Sequence, residues 1–261
     1  MDEIIKVKNE GYSEYEELLL RRDKLRKEAH IWQGQYMAEF GDLITELFEK
    51  KIECIKKKKM ISFCQAAVNK GESVDQNALQ EYLAKEMKDY NRELKEMIAE
   101  NEAAHSMGQV SQATASKIKK LYHKLAKQLH PDINPKTNEI PELQNLWHMI
   151  VVSYNANDLE DLEEAEILVN KVLNDIGFDN IEIEIPDLSE KIAKVEDEIL
   201  QIKSTNPYQY KYLLQDKEAV QTKKDELLKE LKEYEDYEKE LDQLMDQIIG
   251  NGGVSFTWQM N

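Results

Sequence analysis

The alternation of apolar and polar positions is most regular between Lys117 and Tyr154. There Ile118, Leu121, Tyr122, Leu125, Ala126 and Leu129 recur at steps of three and one, a single apolar stripe with the helical period near 3.6. The pattern predicts a helix over 117–130. Lys119, Lys120, His123, Lys124 and Lys127 cover its other side, with no acidic residue among them. Pro131 ends the helix, because a residue before proline is pushed out of the α region. Asp132 is thereby left in a turn, followed by a second X-Pro turn at Asn134-Pro135. Leu143, Leu146, Trp147, Ile150, Val151 and Tyr154 then repeat the spacing. Two matching stripes and a loop of roughly ten residues predict an antiparallel helical hairpin. Its lysine side is expected in water, with His130-Pro131-Asp132 as a rigid corner at the tip.

Upstream, residues 13–38 read as a helix with Ser13 as N-cap and Glu16 completing a capping box. Its stripe is Leu18, Leu25, Trp32 and Tyr36, with Leu19 and Ala29 beside it. The helical pattern continues over 42–69 through Leu43, Leu47, Ile55, Ile61 and Cys64, with Gly34 and Gly41 as candidate breaks. Residues 69–75 form a turn, and Asp75 caps a third helix running to about Ala104 on Leu79, Tyr82, Leu83, Met87, Tyr90, Leu94 and Met97.

Downstream, the acidic run from Asp158 to Glu166 starts a helix over 158–175, with Leu162, Ala165, Leu168, Val169 and Val172 as core. Early acids suit the helix dipole. Asn180 to Ile185 and Val254 to Met260 alternate strictly, the period of strands. A lone strand is not stable, so these two are expected to pair with each other. Between them, Leu188, Ile192, Val195, Ile199 and Ile202 make a heptad seam. Val220, Leu227, Leu231, Tyr234, Leu241, Met245 and Ile248 make a longer return seam. The expected fold is mainly α. Residues 1–102 form an N-terminal helical region, and 103–176 hold the central hairpin. Residues 177–261 form a coiled-coil-like helical hairpin clasped by a small two-stranded ribbon.

The central stretch resembles the J-domain, the DnaJ-type module of co-chaperones. Met107-Gly108-Gln109-Val110-Ser111 looks like that family's opening "L-G-V-S" segment. Ile118, Tyr122, Leu125 and Ala126 lead without gaps to His130-Pro131-Asp132, and Trp147, Ile150 and Tyr154 stand where the family has "F…I…AY". The resemblance covers residues 103–157 only. Ala103 and Ala104 replace the aromatic pair of the family's first helix, and Asn157-Asp158 follows in place of the "QKRxxYD" ending. A Gly/Phe-rich linker and CxxCxGxG modules are absent from the sequence.

The resemblance implies docking on a DnaK-type heat-shock ATPase and stimulation of its ATP hydrolysis. On that reading Asp132 offers its carboxylate to a partner arginine, Pro131 fixes the turn, and His130 packs or hydrogen-bonds at the contact. Lys119, His123 and Lys124 occupy positions that face the acidic partner surface in the family, and Lys120 and Lys127 extend the basic side. The flanking helices would bind a client protein or set a homo-oligomer. Burial of the corner, or packing of the cationic side against the molecule's own helices, would overturn this reading.

Composition narrows the classes. Few glycines and prolines (9 and 5), 33% charged residues and a mean hydropathy of −0.68 suit long solvent-exposed helices. The formal net charge of −17 argues against nucleic acid as the main partner. Screening limits charge effects to about 8–10 Å at cellular salt, so a basic face still docks on an acidic patch. Lys56 to Lys59 is expected to be a solvated helix face. No apolar run approaches the roughly twenty residues of a membrane span, and the N-terminus lacks a secretory pattern. Cys54 and Cys64 form neither a CxxC nor a disulfide framework, which fits a reducing cytoplasm.

His105 and His148 lack metal-ligand spacing, and no glycine loop suits a phosphate, so neither metal nor cofactor nor enzymatic activity is expected. Phe256 and Trp258 are expected to pack on the clasp. The rival reading is a helical coiled-coil scaffold whose J-like hairpin engages no chaperone.

Overall fold

A computed structural model describes residues 5–7, 11–106, 110–175, 181–183, 185 and 187–252. The protein is mainly α-helical. A long helix, α1 (Tyr12–Asn69), is followed by α2 (Gln76–Glu86), α3 (Lys88–Ser106), α4 (Gln112–Leu129), the single turn α5 (Lys136–Glu139), α6 (Pro141–Ala156) and α7 (Leu159–Asp175). The C-terminal part holds α8 (Leu188–Ser204), α9 (Tyr210–Gln215) and α10 (Lys217–Gly252). Two three-residue strands, β1 (Ile5–Val7) and β2 (Ile181–Ile183), pair in parallel with Ile5 opposite Ile181. None of the described helices is long and apolar enough to cross a membrane.

Several boundaries differ from the periodicity. Helix α1 starts at Tyr12, so Ser13 lies inside the first turn instead of capping it. Gly11, at φ +90°, turns the chain into the helix, and its carbonyl accepts the Tyr15 N–H at 3.1 Å. Neither Gly34 nor Gly41 breaks α1. The third predicted helix divides at Met87 (φ −96°, ψ 0°) into α2 and α3. Asp75 caps α2 as expected, accepting the N–H groups of Asn77 and Ala78 at 2.9 and 3.2 Å. The observed partner of β2 is β1; the expected partner at 254–260, with Phe256 and Trp258, lies outside the described residues.

The chain divides into two compact units, each assembled from separated stretches. In the unit of residues 1–33 and 108–211, one core joins α4, α6 and α7 through Ile118, Tyr122, Leu125, Leu143, Ile150 and Leu162, among others. Val169 and Leu173 belong to that core, while Leu168, expected inside, is exposed. A second core sets Tyr15, Leu19, Leu25 and Ala29 of α1 against Leu188, Val195 and Ile199 of α8, with Ile133 from the turn after α4.

In the unit of residues 34–107 and 212–261, Phe40 and Leu47 pack on Leu227 and Leu231 of α10. Farther along, Cys64, Leu79 and Ile248 meet. The two heptad seams are thus buried, but on α1 instead of on each other. The reason lies in α1, whose apolar positions recur along 58 residues and offer both seams a partner. The lysine run of residues 56–59 also departs from a single solvated face. Consecutive helical residues point about 100° apart, so Lys57 pairs with Glu238 (2.9 Å) and Lys59 with Glu86 (2.6 Å), while Lys56 and Lys58 stay exposed.

Candidate docking site at the end of α4

Helix α4 is set by its caps. Ser111 accepts the Thr114 N–H at 3.1 Å at its start, and His130-Pro131 terminates it. The turn that follows is held from within. The His130 carbonyl accepts the N–H groups of Ile133 and Asn134 at 2.9 and 2.7 Å. Asn134 is fully buried; its amide donates to the Gln128 carbonyl at 2.9 Å and its side-chain oxygen accepts the Lys136 N–H at 3.2 Å. Ile133, also fully buried, inserts between α1 and α8. Burial of this one apolar side chain brings the corner against α1.

The corner is therefore not the lone carboxylate that the sequence suggests. Arg22, a charged residue on the buried face of α1, reaches it. Its Nη1 donates to Asp132 Oδ2 and to Glu198 Oε2, both at 3.3 Å. Its Nε and Nη2 donate to Asp23 Oδ1 at 3.2 Å, and Nη2 lies 3.1 Å from His130 Nε2. The Arg22 side chain is 7% exposed, Asp23 10%, and Asp132 46%. His130 is buried, with its ring edge-on to Trp147 at 4.9 Å, and Pro131 is half-buried. Beside the cluster lies a cavity of about 300 Å³ bounded by Arg26, Trp147, Val151 and Asn155.

Charge stabilises this arrangement unevenly. Burial pushes the Asp23 carboxyl up, but His130, Arg22 and the Tyr122 hydroxyl outweigh it and hold the group below the usual carboxylate range. The Tyr122 hydroxyl donates to Asp23 Oδ2 at 2.8 Å, and burial together with that carboxylate raises its pKa. Arg22 is disfavoured by burial, yet Asp23, Asp132 and Glu198 raise its pKa further. Nearby, the Lys27 ammonium caps the end of α6, donating to the Tyr154 carbonyl at 2.6 Å and standing 3.8 Å from the Tyr154 ring centre.

Comparisons with protein-family models, with curated proteins and with solved structures find no match to this chain.

The basic side of α4 is open, in part already paired. Lys119 and Lys120 are exposed. Lys124 and Lys127, 55% exposed each, contact Glu166 of α7 (2.5 Å) and Glu16 of α1 (2.6 Å). His123 is half-buried, and burial with Lys119 and Lys127 lowers its pKa, so it adds little charge at neutral pH. Tyr122, Leu125, Ile150 and Tyr154 are core, with Tyr122 and Tyr154 stacked at 3.8 Å.

Sequence reasoning missed Arg22, Asp23, Glu198, Ile133 and Asn134. A signal existed for Arg22: it falls three residues after Leu19 and three before Leu25, on the apolar stripe itself. A cation at such a position calls for buried carboxylates. Among the described residues, no group of three or more His, Cys, Asp and Glu is placed to hold a metal ion. Cys54 and Cys64 are buried thiols, and burial raises both pKa values.

Proposed function

We propose that this protein is a J-domain-like co-chaperone, a binding module and not an enzyme, that docks on a DnaK-type heat-shock ATPase and stimulates its ATP hydrolysis. The observation that carries the reading is the Asp132 carboxylate. It sits at a proline-terminated helix end, 46% exposed, next to a helix whose exposed side bears Lys119, Lys120, Lys124 and Lys127. A carboxylate at a rigid corner suits a bidentate grip by a partner arginine. The lysines complement an acidic surface and speed encounter. His130 acts from beneath, orienting the turn through its Nδ1, which accepts the Asp132 N–H at 3.1 Å. The long helices flanking the hairpin serve to bind a client or to assemble copies of the chain, in the cytoplasm. Asp132→Asn is expected to abolish stimulation of a DnaK-type ATPase while circular dichroism stays unchanged, and His130→Gln to do the same. Equal stimulation by wild type and Asp132→Asn would refute the reading.

A second reading, a helical scaffold whose J-like corner serves only its own fold, is favoured by Arg22 in contact with Asp132 and His130. Light scattering after size exclusion, with a pull-down on a DnaK-type chaperone, separates the two. An oligomer that captures no chaperone supports the scaffold.

A further inference from the structure

We propose that Arg22 is a built-in occupant of the docking corner, so that a partner's guanidinium engages Asp132 only by displacing the chain's own. This rests on the co-chaperone reading above and adds a regulatory step to it.

The seat of Arg22 has the design of a guanidinium receptor. Three carboxylates from three elements converge on it: Asp23 of α1, Asp132 of the turn and Glu198 of α8. They differ in kind. Asp23 neighbours Arg22 on the same helix, is nearly buried, and is held independently by Tyr122. Asp132 and Glu198 approach from the opposite side and are more open, at 46% and 26% exposure. Arg22 thus has an anchor behind it and a grip in front. Arg26, half-exposed, shares Glu198, with its Nη2 3.0 Å from Oε2. Three carboxylates then face two guanidiniums. Once Arg22 leaves, a single arginine remains for three carboxylates: Arg26 keeps Glu198, Tyr122 keeps Asp23, and Asp132 is left to take an incoming cation of the same planar shape.

The hold on the ring is also frustrated, which makes the grip releasable. A neutral imidazole has one N–H and one accepting nitrogen. His130 Nδ1 accepts the Asp132 N–H, which leaves the ring proton on Nε2. Nε2 then faces the Arg22 Nη2 at 3.1 Å, donor to donor, while Asp23 Oδ2 stands off at 3.6 Å, beyond hydrogen-bond distance. In the other tautomer Arg22 is satisfied and the Asp132 N–H is not. Neither tautomer serves Arg22 and the Asp132 backbone together, so releasing Arg22 relieves one unmet bond.

The test uses the full chain and a DnaK-type ATPase, with docking affinity by biolayer interferometry and ATPase stimulation read side by side. The variants are Arg22→Gln, Glu198→Gln, Asp132→Asn and Arg22→Gln/Asp132→Asn, each checked by circular dichroism. Removing the occupant is expected to tighten docking by up to about 5-fold, since apparent affinity scales with the fraction of molecules whose corner is open and a water-exposed ion pair holds it shut only weakly. Glu198→Gln, which loosens the grip without touching the corner, tightens docking by a smaller factor. Asp132→Asn abolishes docking in both backgrounds. If Arg22→Gln and Glu198→Gln dock no tighter than wild type while Asp132→Asn still abolishes docking, the built-in occupant is refuted and the docking reading survives. If no protein docks, Arg22→Gln included, both ideas fail together. Should Arg22→Gln fail to fold, Glu198→Gln alone decides.

Discussion

The Tyr122 hydroxyl donates to Asp23 Oδ2 at 2.8 Å, linking α4 to α1 directly behind the His130-Pro131-Asp132 turn. The bond gives the hairpin and the long helix a shared polar centre. Asp23 accepts from Tyr122 and Arg22 at once, whereas Asp132 contacts Arg22 from the solvent side.

The two aspartates therefore differ in what their loss costs. Asp23→Ala leaves a buried guanidinium undercompensated, and such losses run to about 3–5 kcal/mol. Asp132→Ala breaks a contact open to water, which is typically about 0–1 kcal/mol. Urea unfolding of both variants checks this, and equal costs would contradict it. The Asp23 carboxyl is held below its ordinary value of 3.8. Its contribution is then present in full above that value and fades as pH falls through the lower folded-state value. The gap between wild type and Asp23→Ala should narrow in acid.

Lys27 gives the opposite pH dependence. Burial pushes its ammonium down to about 8, from an ordinary 10.5. Between those values the unfolded chain binds more protons than the folded one at this residue, so stability rises with pH across that window. Tyr15 and Tyr154, pushed up to about 12 by burial first, work the other way above pH 10. The interval from pH 8 to pH 10 lies below that range. The thermal stability of wild type relative to Lys27→Met should increase from pH 8 to pH 10; a constant difference would show that Lys27 is not desolvated.

Gly41 owes its place to contact and not to backbone freedom. A Cβ there would overlap Asn101 Oδ1 and lie 2.8 Å from Asn101 Cγ, where the Asn101 amide donates to Asp42 at 2.8 Å. Gly41→Ala is expected to push the Asn101 side chain aside and break its bond to Asp42, a loss of about 0.5–1.5 kcal/mol that offsets the helix preference of alanine. In an Asn101→Ala background the clash is gone. The same change then stabilises by up to about 1 kcal/mol, the helix preference of alanine over glycine. A double-mutant cycle by urea denaturation measures the difference.

Periodicity alone determined that the chain is mainly helical. It located α4, α6 and α7 and most of their buried faces, because a stripe such as Ile118, Tyr122, Leu125 and Leu129 is written in local spacing. It placed the Pro131 stop and the Asp75 cap for the same reason: both act within one turn of helix. What covers each stripe is not local. The seams at 188–202 and 220–248 carry no local mark of their partner, and packing set each of them on α1.

The candidate site divides the same way. His130, Pro131, Asp132 and the lysines of α4 were legible, since their spacing is that of one helix and its end. Arg22 and Glu198, 110 and 66 residues away from Asp132, were not. Nothing in a linear pattern tells a carboxylate which distant guanidinium it will meet. Burial of Ile133 between α1 and α8 settled that meeting, by drawing the corner onto the one arginine that α1 carries on its apolar stripe.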